Sequence, residues 1–202
     1  MTHFLLIRHG ATDAIGHVLS GRTPGVHLNA EGRRQAQGLA KILKDRYSLA
    51  GIVSSPLERA IEAAQPIADA QGGSLSVDDS FVEFDFGEWT GLSFSELDHR
   101  PEWRAYNRYR SLYSAPQGES LADVQRRAWK RIQTLWPVFG DQKVAIVSHA
   151  DVIRAVLLLA LGMPLDNVLR LAIPLASITE LQVGEGAPVV RSIGIVKGET
   201  SG

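Results

Sequence analysis

Two histidines and two arginines of this chain stand where side chains can do chemistry. Arg8-His9-Gly10 ends one apolar run, His149 ends another, and Arg59 follows Ser54-Ser55-Pro56. Guanidinium forks match the oxygens of a phosphate, and a helix N-terminus adds N–H donors to the same task. A neutral imidazole can attack phosphorus and form a phosphohistidine, which divides one hard displacement into two easier ones. His9 is therefore a candidate nucleophile, His149 a protonated clamp on the transferring oxygens, and Arg8 and Arg59 the counter-charges of a phosphate. Taken singly, each residue has a plainer reading: a lone histidine is more often a hydrogen-bonded core residue, and Arg59 has Glu58 and Glu62 as nearby carboxylate partners. Their shared position at strand ends favours the phosphate pocket.

The elements that must hold these residues are legible from periodicity. Phe4 to Ile7 reads as a buried strand, and Asn29 as the N-cap of a helix whose apolar face is Ala36, Leu39, Ala40 and Leu43. Gly51 to Ser54 is a second strand, and Ser55-Pro56-Leu57-Glu58 predicts a capping box with Pro at the first helical position, opening a helix to about Ala70 with Arg59 in its first turn. Leu75 to Val77 is a short strand and residues 81–92 a loop rich in acids and aromatics. Ser120 to Asp123 predicts another capping box, with Val124, Ala128, Ile132 and Leu135 at helical period behind it. Lys143 to Val147 is a strand, 151–161 an apolar helix, and the runs 177–183 and 189–196 pair as strands. Alternation of strands and amphipathic helices predicts an α/β fold, a three-layer αβα sandwich with a largely parallel central sheet and antiparallel edge strands. Such sheets bind ligands outside the carboxyl ends of their strands, where Arg8, His9, Arg59 and His149 fall. The expectation is a single domain over 1–202, with 92–115 as a lid whose Arg and aromatic residues set specificity or simply pack as short helices.

Composition removes several classes of function. The 202 residues are 45% hydrophobic and 21% charged, with a formal net charge of -1, so the basic footprint of a nucleic-acid or anionic-membrane binder is missing. With no cysteine, disulfide scaffolds, thiolate-zinc sites and cysteine nucleophiles are excluded. His9 and His149 lack carboxylates at ligand spacing, so no metal and no cofactor is expected. The first ten residues lack a basic n-region and a small-residue cleavage site, and 152–161 is too short for the roughly 20 residues of a bilayer span, so the expected location is cytoplasmic. The strands at 177–196 are a candidate homodimer edge.

Four segments in order, LIRHGAT, SSPLERAIEAA, EFDFGEWTG and VSHADVIRAV, resemble the histidine phosphatase superfamily, also called phosphoglycerate mutase-like. The resemblance implies that His9 accepts the phosphoryl group, that Arg8, Arg59 and His149 form the phosphate pocket, and that Ser20 and Gly21 add backbone contacts. It also implies that Glu83 is the proton donor, which is sensible because a leaving alkoxide needs a proton and the resulting carboxylate can activate water. Asp85 and Glu88 lie in the same stretch, and the spacing of Glu83, Gly87, Trp89 and Gly91 to the family's E-x-x-x-G-x-W-x-G pattern selects Glu83.

The chain departs from the family in three places, one of them the Thr of the SSPL segment's helix, which stands here as Ala63 or Ala64 and reads as packing. Thr12-Asp13-Ala14-Ile15 lacks an expected Asn, and Ala150-Asp151 replaces the usual small pair after the second histidine. Asp151 is either a first-turn acid that complements the helix dipole or a negative charge beside the pocket that disfavours polyanionic substrates. The short segment Phe86 to Gly91 is similar to the phosphatase branch, which implies a metal-independent phosphomonoesterase acting on a small-molecule phosphate ester. Mutase-type phosphoryl transfer and a non-catalytic phosphate-binding module are the alternatives.

Overall fold

The computed structural model describes residues 1–196; the last six residues of the expected 1–202 domain lie outside the described ones. Six strands form one sheet: β1 (Thr2–Arg8), β2 (Leu49–Ser54), β3 (Leu75–Val77), β4 (Lys143–Ser148), β5 (Ile178–Val183) and β6 (Val189–Ile195), in the order β3-β2-β4-β1-β5-β6. β1 to β4 run parallel, while β5 and β6 continue the sheet antiparallel. The fold is thus α/β with a mixed sheet, its central strands apolar on both sides as two-faced burial requires.

One face is covered by α1 (Ala30–Arg46) and α2 (Glu58–Gln71), which meet β1, β2 and β4 through Leu5, Ile7, Leu39, Leu43, Ile52, Ile67 and Val147. The other is covered by α5 (Leu121–Phe139) and α6 (Ala150–Ala160), whose Val124, Ile132, Val152 and Val156 pack on Phe4, Leu6, Val144 and Ile146. Alternate residues of each strand thus serve opposite layers. The predicted caps of α1 and α5 form: Asn29 accepts from Gly32 N at 2.9 Å, and Ser120 and Asp123 make the reciprocal pair. Each such cap contributes about 1 kcal/mol.

The capping box expected at Ser55 does not form. α2 begins at Glu58 with Leu57 as its N-cap and no side-chain bond there. Ser55 instead prolongs the β2 pairing, donating its N–H to Val147 O at 2.9 Å, and its hydroxyl turns to His149. The Glu58 carboxylate, free of the box, accepts from Gly25 N at 3.0 Å. Sheet registry and the site compete for Ser55 and displace the local motif.

Between the layers and the site, α3 (Phe94–Asp98) and α4 (Pro101–Arg108) occupy the segment expected to form a lid. Trp103 and Tyr106 are buried against Phe84, Phe86 and Trp89 in an edge-to-face and stacked aromatic cluster, and the buried Arg110 lies 4.0 Å over the Tyr106 ring. Leu97, Trp103, Tyr106, Arg110 and Ala115 are the buried residues of this segment and hold the 83–89 loop from behind, while most of the rest of it is exposed.

Candidate active site

The carboxyl edge of the sheet brings the predicted residues together. β1 delivers Arg8 and His9, β4 delivers His149, and Arg59 reaches in from the second position of α2. Arg8, His9 and Arg59 line a cavity of about 190 Å³ with Thr12, Ser20, Gly21 and Glu83, and with Ala150, Asp151 and Arg154 from α6, while His149 is fully buried and lies outside that lining. The loop after β1 is held close to α1, because a Cβ on Gly32 would sit 2.1 Å from Ala11 O. Any side chain at position 32 would push the His9 loop away. Gly21, at φ +46°, turns its carbonyl to accept from Arg59 Nη2 at 2.7 Å. The 17–21 strip is zipped to 91–94 by Leu19 N to Leu92 O, Gly91 N to Leu19 O and Phe94 N to His17 O, so the rim is pinned at both ends.

The imidazole of His9 has its Nδ1 2.8 Å from Gly10 O. A carbonyl can only accept, so Nδ1 carries the proton and the Nε2 lone pair is free. Burial first, then the Arg59 charge, pushes His9 down to about 3, so it is neutral at physiological pH despite the Gly10 bond. His149 lies behind it with ring centroids 5.1 Å apart, its Nε2 2.7 Å from Ser55 Oγ. Its buried Nδ1 has no hydrogen-bond partner and stands 3.9 Å from Glu83 Oε2. Burial, His9 and Arg59 together hold His149 well below the usual imidazole range. The expected imidazolium is thus replaced by a neutral ring, because full burial strips it of water and a second imidazole and nearby arginines add to that effect.

Glu83 behaves in the opposite sense. Burial raises its carboxyl to about 7, the Asp151 charge adds to the rise, and the Phe84 N–H, Arg59 and Arg8 oppose it. A carboxyl poised near neutrality can be an acid in one step and a base in the next. Asp85 and Glu88, the other acids of the stretch, do not line the cavity. Burial lowers Arg8 and Arg59 from their ordinary value, yet a guanidinium stays charged in proteins. Arg8 Nη1 donates to Ile173 O at 2.6 Å, while Arg8 Nε and Arg59 Nη1 are buried with no partner, two N–H groups left for an anion.

Sequence reasoning missed the support beneath Glu83. Its carbonyl accepts from Arg22 Nε at 2.9 Å and from Arg127 Nη2 at 3.3 Å, and Arg127 also donates to Ser80 O at 2.8 Å. Glu119 joins the two arginines, 2.8 Å from Arg22 Nη2 and 3.0 Å from Arg127 Nε. Arg127 lies on α5, far from the motif in sequence, and its only signal was a cation at a helical position among apolar ones. Arg127→Ala is expected to lower kcat about tenfold or more with little change in KM, since loose placement of a catalytic group costs rate; equal loss in both, or none, in steady-state kinetics would remove this role.

Thr12 and Arg154 were also unassigned and both line the cavity. Of the expected lid, only Phe94 does so. Arg104 and Arg108 lie outside the cavity lining, Arg104 bonding Asp98 O and Arg108 lying over Tyr109. Among the described residues no three His, Asp or Glu converge as metal ligands, and no helix is long and apolar enough to cross a membrane.

The fold is α/β with two arginines and a histidine gathered at the carboxyl edge of its sheet, and comparison with known proteins makes the family definite. The model of the histidine phosphatase superfamily (branch 1) matches residues 4–196, and the chain belongs to that family. It is 37% identical over 196 residues to the bifunctional protein Rv2228c of Mycobacterium tuberculosis, covering 95% of this chain and 53% of that protein. The chain thus spans about half the length of that relative. It is 34% identical over 177 residues to the glucosyl-3-phosphoglycerate phosphatase of Mycolicibacterium vanbaalenii, covering 81% of this chain and 76% of that one. Among solved structures, YhfR of Bacillus stearothermophilus superposes with a TM-score of 0.90 at 27% identity over 97% of this chain and 98% of that chain.

Proposed function

We propose that the chain is a phosphomonoesterase that hydrolyses a small phosphate ester through a phosphohistidine on His9. The observation that carries this reading is the pairing of a neutral His9 whose Nε2 is free with a Glu83 poised near 7 in one cavity. Arg8 and Arg59 bind the phosphoryl oxygens with the N–H groups they have spare. His9 Nε2 attacks phosphorus, the P–O bond to the alcohol breaks, and protonated Glu83 gives its proton to the departing oxygen. Glu83, now a carboxylate, takes a proton from water as that water attacks the phosphohistidine, which restores both residues and releases phosphate.

The neutral His149 supports the same sequence. Its buried Nδ1 has no hydrogen-bond partner and stands beside Glu83, 3.9 Å from Oε2, and the Ser55 hydroxyl can either donate to or accept from Nε2. Ser20 and Gly21 shape the phosphate end, Gly21 by fixing Arg59. A phosphatase acting on glucosyl-3-phosphoglycerate among the relatives agrees in reaction type.

The test is phosphate release from p-nitrophenyl phosphate, sugar phosphates, nucleotides, 3-phosphoglycerate and phosphoserine, with a chelator present. Release that survives the chelator supports the reading. A folded wild type that releases no phosphate from any ester, or one that only moves it between hydroxyls of 3-phosphoglycerate, overturns it.

A further inference from the structure

The α6 side of the cavity carries one acid and one base already joined. Asp151 Oδ1 and Arg154 Nη1 are 2.9 Å apart, one helical turn from each other, and both side chains are largely buried and line the cavity. Arg154 is further committed by Nε, which donates to Leu171 O at 2.9 Å. The other cations of the lining, Arg8 and Arg59, flank His9 and are taken by the phosphoryl group in the reading above. Arg22, just outside, is occupied by Glu119 and the Glu83 carbonyl. Among the described lining residues, then, the one arginine that the phosphoryl group does not take is already paired with a carboxylate.

The rest of the wall is apolar: Ile15, Val18, Leu19, Phe86 and Phe94. The alcohol must leave past Glu83, and Glu83 and Asp151 line one cavity of about 190 Å³, so the alcohol shares that space with the Asp151 carboxylate. A carboxylate or second phosphate on that alcohol would meet Asp151 at short range in a poorly hydrated cleft, where like charges repel strongly.

Resting on the proposed phosphatase reading, we propose that Asp151, by engaging Arg154, is a specificity-determining residue that makes this site select phosphomonoesters of neutral, partly apolar alcohols and reject those whose alcohol carries a carboxylate or a second phosphate. Freed of Asp151, Arg154 would present an unneutralised guanidinium to the same space and invite the anions it now excludes.

The experiment compares kcat/KM for matched pairs: phenyl phosphate with 4-carboxyphenyl phosphate, and glycerol 3-phosphate with 3-phosphoglycerate. Wild type should favour the neutral member of each pair by about tenfold or more, as expected where like charges are forced together. Asp151→Asn should shrink that ratio by about tenfold. Any general effect of the substitution on Glu83 is common to both members and leaves the ratio unmoved. Adding Arg154→Gln should abolish the gain, and turnover of the neutral member reports that each variant is folded. Wild type that prefers the carboxylated members, a ratio unmoved by Asp151→Asn, or a gain that survives loss of Arg154 each overturns the inference while leaving phosphatase activity standing. Absence of phosphate release from every ester is a separate outcome: it removes the phosphatase reading and the inference with it.

Discussion

His9→Ala is expected to abolish phosphate release, with kcat reduced on the order of 10⁴-fold or more, the scale on which loss of a covalent nucleophile is felt. The loss should be almost wholly in kcat. Arg8, Arg59, Thr12 and Gly21 remain in the variant to hold the phosphoryl group, so binding of inorganic phosphate or vanadate should survive within a few-fold. Rapid quenching of wild type with a radiolabelled ester should trap an acid-labile, base-stable phosphoenzyme, and the variant should trap none. Small size is not the issue, because His9 is buried but makes its one hydrogen bond to its own neighbour's carbonyl. If His9→Ala kept even a hundredth of wild-type turnover, attack by a water or another side chain would have to replace the covalent route.

The second large effect concerns the proton. Glu83 is raised to about 7 by burial and by Asp151, and the first step needs it protonated. The sign follows: phosphoryl transfer from an ester with a basic leaving alcohol should be fastest below pH 7 and fall as pH rises through that value. Hydrolysis of the phosphohistidine needs the carboxylate and should rise over the same range. Whichever step limits turnover decides the limb observed. Single-turnover release of the alcohol isolates the acid limb. Glu83→Gln should slow that release by about 10²- to 10⁴-fold for an alkyl phosphate, the usual worth of a general acid. With p-nitrophenol, which leaves without help, the penalty should be much smaller. Equal penalties for both alcohols would mean that Glu83 places substrate and transfers no proton. Asp151→Asn removes one of the charges that raise Glu83, so the acid limb should move to lower pH, which a single-turnover pH profile would show.

Most of the framework was legible because it rests on local chemistry. Apolar runs that stop at Arg8-His9 and at His149 announced β1 and β4, and the caps at Asn29 and Ser120 announced α1 and α5. The same logic failed at Ser55, where the capping pattern was present and the helix began at Glu58 instead. Ser55 Oγ meets His149 Nε2, a partner 94 residues away, at 2.7 Å, and its local bond is a long one of 3.4 Å from Leu57 N in place of the capping bond from Glu58 N. Trp103 and Tyr106 show a related limit: amphipathic aromatics near a site fit both a lid and a core, and only the packing against Trp89 and Phe86 distinguishes them.

The sequence by itself determined the sheet edge, the residues that gather there and the family, since strand ends, residue types and motif order are properties of short segments. Tertiary structure alone decided the protonation of the site and the pairing of its charges. That His149 is neutral, that Glu83 is poised near 7, that Arg127 and Arg22 clamp the Glu83 carbonyl, and that Asp151 neutralises Arg154 all depend on burial and on distances between segments far apart in the chain. Charge and desolvation act through space, and the order of residues does not record it.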